Sequence, residues 1–357
     1  MNAHVVVGMS GGVDSSVAAA LLQQQGYRVT GMMLRLWSEP GREESNRCCT
    51  PDAVALARRA AARLEIPFYV VDARDIFRRI VVSDFLDGYS AGRTPNPCLL
   101  CNRVIRWEFL LEHALALGAE YMATGHYVRR IQEPAGISLL RAVDRGKDQS
   151  YVLHALDQAK LGHALFPVGD YPKTEIRALA DTFNLPSARR ADSQDLCFLA
   201  GEDYREFLRR HAPGAVRPGK ITRRDGTLLG EHQGLAFYTI GQRRGLGIAS
   251  PEPLYVLAKD GRTDTLVVGR VEELGFRSLV AGPMNWISGA APRVPFRALV
   301  KTRYTGREAW AQVTPQEQGS RVQVRFEDPL RDISPGQAAV LYMEERMLGG
   351  GLITDFA

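Results

Sequence analysis

The sequence predicts an α/β fold: an N-terminal doubly wound parallel-sheet domain, a small and mostly β central domain, and an all-β C-terminal barrel. Before about residue 200, short apolar runs alternate with segments of helical periodicity, which is typical of a parallel sheet covered by helices on both faces. After that point, Pro-Gly and Asp-Gly pairs separate short strands, which favours a small barrel. We therefore place the domains at 1–203, 204–278 and 279–357.

The elements of the first domain follow from its apolar runs. These runs predict strands at 4–8, 29–34, 68–71 and 121–124. The periodic segments between them predict helices at 14–25, 53–64 and 109–117. In the last domain, 321–326 alternates apolar and polar side chains, which predicts a strand with one buried face. The glycines at 349–351 are predicted to interrupt the last strand pair.

Composition excludes some classes of protein. No apolar stretch reaches the roughly 18 residues of a membrane span, and the first residues lack a signal-peptide pattern, so we expect a cytoplasmic protein without a membrane partner. The chain has 45 Lys and Arg against 40 Asp and Glu, a net charge of +5 that is compatible with a polyanionic partner. Its five cysteines are too few, and odd in number, for a disulfide framework, which indicates thiols used for chemistry or metal binding.

The string Ser-Gly-Gly-Val-Asp-Ser-Ser at 10–16 lies between the first predicted strand and the first helix. Two glycines allow close backbone approach, and the unpaired N–H groups of a helix N-terminus attract an anion. Because no Lys-Ser/Thr pair ends the string, it is not the common loop of phosphate-cleaving NTPases. We interpret it as a nucleotide phosphate site; the alternative is an ordinary turn in which Asp14 or Ser15 caps the helix.

Two further strings contain the cysteines of interest. Cys98 and Cys101 follow two prolines that favour extended backbone, and Cys197 follows an arginine pair. Zinc binding would need two further ligands, and no second C-x-x-C string or close histidine pair supplies them. For Cys48 and Cys49, a role as small buried side chains is an open alternative.

Taken together, the strings resemble one family along nearly the whole chain: the bacterial tRNA-specific 2-thiouridylases of the ATP pyrophosphatase superfamily. The motifs occur in the family's order: G-M-S-G-G-V-D-S-S, G-R-T-P-N-P-x-x-x-C-N, A-T-G-H-Y, K-D-Q-S-Y, L-F-P-V-G, D-S-x-x-x-C-F, G-E-H-Q-G, G-Q-R-x-G-L-G, K-T-R-Y and P-G-Q. The resemblance implies that sulfur replaces O2 of a wobble uridine after ATP adenylates that oxygen. AMP and pyrophosphate are then the products.

The resemblance also implies an ATP site with Mg²⁺, for which Asp14 is the nearest carboxylate. The implied ATP-binding residues are Gly8, Met9, Ser10, Gly11, Gly12, Val13, Asp14, Ser15, Leu34 and Gly125. The loop, the end of the second strand and the 124–126 turn should meet at the carboxyl edge of the sheet, where open α/β sheets bind ligands.

For sulfur transfer, the resemblance assigns Cys101 as the nucleophile and Cys197 as the persulfide carrier, loaded by a cysteine desulfurase or a sulfur-relay protein. The two cysteines would then form a transient disulfide, which reduction reopens. Cys98 departs from the family pattern, because many members have Asp there. A second route therefore stays open, in which Cys98, Cys101 and Cys197 hold a 4Fe–4S cluster with one open iron.

Asn96 lies next to the cysteines, where its side chain is expected to hydrogen-bond the target base. The resemblance implies tRNA contacts at Lys147, Asp148, Gln149, Arg303, Tyr304 and Gln337. His126 is a further candidate for a tRNA contact, and the alternative for it is a structural hydrogen bond after the strand. We expect a monomer bound to one tRNA. Two other functions stay open at this stage: a C–N-forming ligase that uses the same ATP loop, and a metal-stapled RNA-binding protein without enzymatic activity.

Overall fold

The structure is a computed structural model that describes residues 2–41, 50–191, 196–199, 201–331 and 333–357. Cys48 and Cys49 lie outside the described residues, as do 192–195 next to Cys197. Within the described ranges, no helix is both long and apolar enough to cross a membrane.

The N-terminal domain contains a five-stranded parallel sheet. Its strands are β1 (His4–Gly8), β2 (Arg28–Arg35), β3 (Phe68–Asp72), β4 (Tyr121–Thr124) and β7 (Ala164–Leu165). Their order, β3-β2-β1-β4-β7, and the uniformly parallel pairing confirm the predicted doubly wound sheet. β3 differs from the expectation of burial on both faces, since this edge strand leaves Tyr69 and Val70 exposed.

Helices cover this sheet. They are α1 (Val13–Gln24), α2 (Pro51–Arg63), α3 (Arg74–Phe77), α4 (Ser83–Ser90), α5 (Pro97–Leu100), α6 (Leu111–Ala116), α7 (Gln158–Gly162) and α8 (Lys173–Thr182). Two segments of wider, π-type helix, Arg78–Val82 and Cys101–Leu110, join α3 to α4 and α5 to α6. The local sequence explains where α2 begins: the Thr50 hydroxyl accepts a hydrogen bond from the Ala53 amide, and Pro51 occupies the first helical position.

The helix predicted at 109–117 is only the end of a longer helical run that starts at Pro97. Here the expectation of extended backbone at both prolines is wrong for Pro97, which occupies the first helical position. The Asn96 side chain caps this helix by accepting a hydrogen bond from the Cys98 amide at 3.2 Å. Cys98 and Cys101 therefore lie about one turn apart on a helix.

The central domain follows α9 (Tyr204–His211) and is a four-stranded sheet. Its strands are β8 (Gly219–Thr222), β9 (Leu228–His232), β10 (Tyr255–Asp260) and β11 (Thr265–Gly269), in the order β10-β11-β8-β9. Its buried side chains, such as Val256 and Val268, pack in the same apolar cluster as residues of the N-terminal domain that include Cys101. The central sheet therefore packs close to the helix that bears the cysteine pair.

The C-terminal domain is a closed β-barrel. Its strands are β12 (Phe276–Ala281), β13 (Asn285–Trp286), β14 (Phe296–Lys301), β15 (Glu308–Gln316), β16 (Arg321–Leu330), β17 (Ala338–Met343) and β18 (Arg346–Phe356). The ring β12-β16-β15-β14-β17-β18 closes through pairing of β12 with β18. The alternation predicted at 321–326 is confirmed, because Val322, Val324 and Phe326 are buried in the barrel core.

The glycines at 349–351 do not interrupt the last strand pair, so that expectation is wrong. They lie inside β18 and pair with β17. A Cβ atom at Gly349 would collide with the carbonyl oxygen of Asn285, and one at Gly350 would lie 2.9 Å from the His154 side chain. Glycine is used here because other backbone and side-chain atoms approach the strand closely.

A hairpin of the N-terminal domain extends the barrel sheet, which the sequence analysis did not predict. β5 (Val128–Glu133) and β6 (Gly136–Arg141) are antiparallel, and β6 pairs with β18 at Leu140 and Arg346. Arg346 also forms an ion pair with Glu133 at 2.5 Å. The hairpin therefore belongs to the first domain by sequence and to the barrel sheet by hydrogen bonding.

A buried polar cluster joins the same two domains at Ser150 and Tyr151. The Tyr151 hydroxyl accepts a hydrogen bond from the Ala338 amide and donates one to the Ala338 carbonyl, both at 3.1 Å. The Ser150 hydroxyl lies 2.9 Å from the Tyr342 hydroxyl and donates to the Asp148 carboxylate at 2.7 Å. These groups are shielded from water, so their loss leaves polar atoms buried without partners.

We expect Tyr151→Phe to lower the free energy of unfolding by about 1–3 kcal/mol, because both backbone groups of Ala338 lose a buried partner. Urea unfolding followed by tryptophan fluorescence measures this change. Tyr69→Phe, at a side chain that is 50% exposed, is the control and should change the value by less than about 0.5 kcal/mol. Equal unfolding curves for the two variants would contradict the role given to Tyr151.

Candidate active site

The carboxyl ends of β1, β2 and β4 meet at one edge of the parallel sheet. Gly8, the last residue of β1, pairs with Met32 of β2 and with Thr124 of β4. The phosphate-type loop therefore leaves β1 beside the end of β2, where Leu34 lies, and beside the 124–126 turn. This is the edge at which open α/β sheets bind ligands.

The loop leads directly into the N-terminus of α1. Gly12 is the residue before the helix, and among the described residues no side chain caps that end. Asp14 and Ser15 lie within the first turn, so the alternative in which one of them caps the helix is wrong. Within the loop, the Ser10 hydroxyl accepts a hydrogen bond from the Gly12 amide at 3.4 Å. The backbone amides of the first helical turn are the groups that would bind an anion at the loop.

Two glycines let other backbone segments approach this loop. Gly11 has a φ of +72°, and a Cβ there would lie 2.5 Å from the Ala53 carbonyl oxygen. A Cβ at Gly125 would lie 2.7 Å from the Ser15 amide nitrogen. The 124–126 turn thus packs directly on the start of α1, which accounts for Gly125, whereas the positive φ and the nearby backbone of α2 account for Gly11.

Asp14 is held by two donors that the sequence analysis missed. Its Oδ1 atom accepts a hydrogen bond from the Tyr127 hydroxyl at 2.8 Å and forms an ion pair with Lys173 Nζ at 2.6 Å. Lys173 begins α8, shortly after the L-F-P-V-G string, to which no role was given. The contact could not be predicted because 159 residues separate Asp14 from Lys173.

Asp14 is the carboxylate at this edge that the sequence analysis linked to Mg²⁺. Its Oδ1 atom pairs with Lys173, and within the described ranges no three His, Cys, Asp or Glu side chains lie close enough together to hold a metal ion. Mg²⁺ ordinarily takes only one or two carboxylates together with substrate phosphates, so the Mg²⁺ site stays a prediction.

A cavity at the sheet edge joins the loop to one cysteine. It is lined by Gly8, Met9, Ser10, Met32, Met33, Leu34, Leu36, Cys101, Ile105, Arg106 and Leu110. The structure thus brings together three of the predicted ATP-binding residues at the loop, Leu34 from β2 and the predicted nucleophile. Methionines line much of the wall, and their flexible side chains readily yield to a ligand.

The other two cysteines differ from Cys101 in their surroundings. Cys98 is exposed, whereas Cys101 is buried and Cys197 is half-buried in a short turn at Cys197–Leu199. Cys101 belongs to the apolar cluster against which Cys197 packs. Within the described ranges no group of three His, Cys, Asp or Glu side chains lies close enough together to hold a metal ion, and the 4Fe–4S cluster at these cysteines stays a prediction.

Several residues predicted to contact tRNA are buried and hydrogen-bonded within the protein. His126 Nδ1 lies 2.7 Å from the Thr124 hydroxyl, and burial, aided by the positive charge of Arg106, lowers the pKa of His126 to about 3. Asp148 accepts hydrogen bonds from the Ala142 amide and the Ser150 hydroxyl. Gln149 accepts from the Tyr127 amide at 3.0 Å. These contacts support positioning roles, whereas Lys147 is partly exposed.

A second cavity, of about 470 Å³, lies where all three domains meet. It is lined by Thr94, Thr239, Ile240, Gly241, Gln242, Arg303, Tyr304, Thr305 and Gln337. The Gln337 side chain donates to the Thr94 carbonyl at 2.9 Å and accepts from Asn96 Nδ2 at 3.3 Å. Asn96, the residue predicted to contact the base, therefore lies next to the cavity lined by Arg303, Tyr304 and Gln337. The segment 239–242 of the central domain also lines this cavity, and the sequence did not predict it.

Comparisons with known proteins agree with this architecture. The family described as "tRNA methyl transferase HUP domain" matches residues 3–201, "tRNA methyl transferase PRC-barrel domain" matches 205–270, and "Aminomethyltransferase beta-barrel domain" matches 276–353. The tRNA-specific 2-thiouridylase MnmA of Roseiflexus castenholzii is 47% identical over 98% of this chain and 99% of that protein. The chain belongs to the tRNA-specific 2-thiouridylase family.

A second 2-thiouridylase, from Chloroflexus aggregans, is 48% identical over 98% of each chain. The family resemblance and the predicted fold class are therefore confirmed. Among solved structures, a 4-thiouridine synthetase–RNA complex with bound ATP is 17% identical, with a TM-score of 0.38 over 59% of this chain and 50% of that chain. This TM-score is too low to support an argument about mechanism.

We expect acid to destabilise this 2-thiouridylase through His126. Its folded-state pKa of about 3 lies below the unfolded value of 6.5, so the unfolded chain binds the proton more readily and stability falls as the pH drops below 6.5. Between pH 7 and pH 5 this residue should remove about 2 kcal/mol from the free energy of unfolding. Urea unfolding at pH 7 and pH 5 measures the loss of unfolding free energy in His126→Gln and in the unmodified chain. The loss should be about 2 kcal/mol smaller in the variant, and equal losses would contradict the low pKa of His126.

Proposed function

We propose that the chain is a tRNA-uridine 2-sulfurtransferase that uses ATP to adenylate O2 of the wobble uridine and replaces this oxygen by sulfur. The products are 2-thiouridine, AMP and pyrophosphate. The observation that carries this proposal is the cavity in which the loop at the N-terminus of α1 and the Cys101 thiol face the same space. An adenylated base bound there would lie beside Cys101, the thiol that releases the transferred sulfur from Cys197.

The first step is adenylation. Backbone amides of the loop and the positive end of α1 bind the phosphates, and the Asp14–Lys173 ion pair fixes the first turn of that helix. Uridine O2 attacks the α-phosphorus, and the bond from that phosphorus to the pyrophosphate oxygen breaks. The base now carries AMP on O2, which turns a poor leaving group into a good one.

The second step is sulfur transfer. The terminal sulfur of a Cys197 persulfide attacks C2, and the C2–O2 bond breaks so that O2 leaves with its electron pair as part of AMP. Cys101 thiolate then attacks Sγ of Cys197 and breaks the S–S bond, which leaves the sulfur on C2 and joins the two cysteines. An external dithiol reduces this disulfide, and a cysteine desulfurase or sulfur-relay protein reloads Cys197. The packing of both cysteines in one apolar cluster supports their pairing.

For tRNA binding, we propose that the wobble base is splayed out of the anticodon loop, because C2 is inaccessible while the base is stacked. Asn96 would contact that base; its side chain donates to Gln337, which lines the cavity between the three domains. Tyr304, which is 38% exposed, offers a ring for stacking, and Arg303 and Lys147 offer positive charge to phosphates. The chain would act in the cytoplasm as a monomer on one tRNA.

We expect Cys101→Ser and Cys197→Ser to block the reaction at different points, each lowering 2-thiouridine formation on the order of 10³-fold or more. With a persulfide donor, tRNA and ATP but no small thiol, Cys101→Ser should stop after one AMP per enzyme, with the tRNA disulfide-linked to Cys197. Cys197→Ser should form no such adduct. Denaturing gel electrophoresis with labelled tRNA, together with AMP quantification, measures both results.

Cys98→Ser is the matched control, because Cys98 lies on the same helix as Cys101 but is exposed. In buffer treated to remove metals, it should form 2-thiouridine within about threefold of the unmodified chain, since the persulfide route gives Cys98 no bond to sulfur. Loss of the product in all three variants, with turnover of the unmodified chain only after iron and sulfide are supplied, would contradict the persulfide route and favour a cluster.

A further inference from the structure

The cavity that contains the loop and Cys101 has one charge whose role the proposed function leaves open. Of the described residues that line it, Arg106 alone is charged. Its neighbours in the wall are largely apolar, including Met32, Met33 and Ile105. A guanidinium in such surroundings interacts strongly with an anion, because little water screens the pair.

The unusual helix geometry brings Arg106 to this face. Arg106 follows Cys101 by five residues, which in an ordinary α-helix would separate the two side chains by about 140° around the axis. The segment Cys101–Leu110 is instead a wider π-type helix, and Cys101, Ile105 and Arg106 all line the same cavity. Such segments are frequent at functional sites, where they turn a side chain toward a ligand.

Other basic side chains lie near the sheet edge. Lys173 forms an ion pair with Asp14, and Arg190 donates a hydrogen bond to the Gly11 carbonyl of the loop at 3.0 Å. His126 lies near Arg106 and stays neutral at physiological pH, because burial and the neighbouring positive charge lower its pKa to about 3. Arg106 differs from these residues because it lines the cavity itself, together with Cys101 and the start of the loop.

We propose that Arg106 binds the phosphate of the adenylated uridine and stabilises AMP as it leaves. The guanidinium donates hydrogen bonds to the non-bridging oxygens of that phosphate. When sulfur attacks C2 and the C2–O2 bond breaks, the electron pair moves onto O2 within AMP, and the fixed charge of Arg106 offsets the added negative charge. This inference rests on the proposed function and adds a residue that binds the leaving group.

The chemistry explains why arginine suits this position. Its planar guanidinium binds two oxygens of one phosphate at once, whereas lysine offers a point charge. Hydrogen bonds to charged groups contribute about 1.5–3 kcal/mol, which corresponds to a roughly 10- to 100-fold change in affinity. Removal of the guanidinium should therefore weaken the binding of a ligand with a phosphate and spare the same ligand without one.

The experiment compares AMP and adenosine as probes, by isothermal titration calorimetry on the full chain. Arg106→Met should raise the Kd of AMP about 10- to 100-fold and leave the Kd of adenosine within about twofold. Arg106→Lys should show a smaller loss, of about 3- to 10-fold, because it keeps the charge but not the paired donors. Arg79→Met is the control, since Arg79 lies in the other π-type segment and is exposed; it should change neither Kd.

Equal losses for AMP and adenosine in Arg106→Met, or no loss for either, would overturn the proposal. A faster or slower alkylation of Cys101 with an unchanged ratio of the two Kd values would overturn it too, because Arg106 would then act on the thiol. The assay separates this inference from the proposed function. If the unmodified chain makes no 2-thiouridine from tRNA, ATP and a persulfide donor, the proposed function fails whatever the AMP-to-adenosine ratio.

Discussion

The parallel register of β1 with β2 and β4 is the constraint on which the site depends. Because Gly8 pairs with both Met32 and Thr124, the three strands end together, and the segments that follow them are forced into one small volume. The loop before α1, the end of β2 and the 124–126 turn all come from this edge. A shift of either register would separate the backbone of the loop before α1 from the wall that contains Cys101 and Arg106.

The helix with the cysteine pair also contacts the C-terminal barrel. Asn96 caps that helix and also donates to Gln337 of the barrel, so one side chain links the cysteines to the cavity between the domains. The buried contacts of Tyr151 with Ala338 and the pairing of β6 with β18 hold the barrel against the N-terminal domain. The cavity between the domains and the loop edge of the parallel sheet therefore keep a defined relative position, which the proposed sulfur transfer needs.

Features encoded in short contiguous strings could be predicted from the sequence. The loop at 10–16, the four N-terminal strands and the alternation at 321–326 each depend on neighbouring residues, and all appear in the structure. What could not be predicted depends on contacts between distant residues. The bond of Lys173 to Asp14 joins positions 159 residues apart, and the pairing of β6 with β18 joins two domains.

The prolines, the glycines at 349–351 and the A-T-G-H-Y string show a second reason why sequence-based predictions fail. Pro97 fits a helix start as well as an extended segment, and only the Asn96 cap decides between the two. From the sequence alone, the glycines at 349–351 are expected to interrupt the last strand pair. They lie inside β18 instead, where the absence of a Cβ atom allows Asn285 and His154 to approach the strand. His126 has the chemistry of an RNA contact, yet burial against Thr124 makes it a neutral internal side chain. Residue type alone cannot separate such alternatives, because burial decides them.

The most direct measurement is the stoichiometry of a single reconstituted reaction. The purified chain, unmodified tRNA, ATP and a persulfide donor are incubated without added iron, and AMP, pyrophosphate and nucleosides are quantified by mass spectrometry. The account predicts one AMP and one pyrophosphate for each 2-thiouridine, with the sulfur confined to the wobble position. Formation of AMP and pyrophosphate without 2-thiouridine, or of 2-thiouridine at another position, would contradict it.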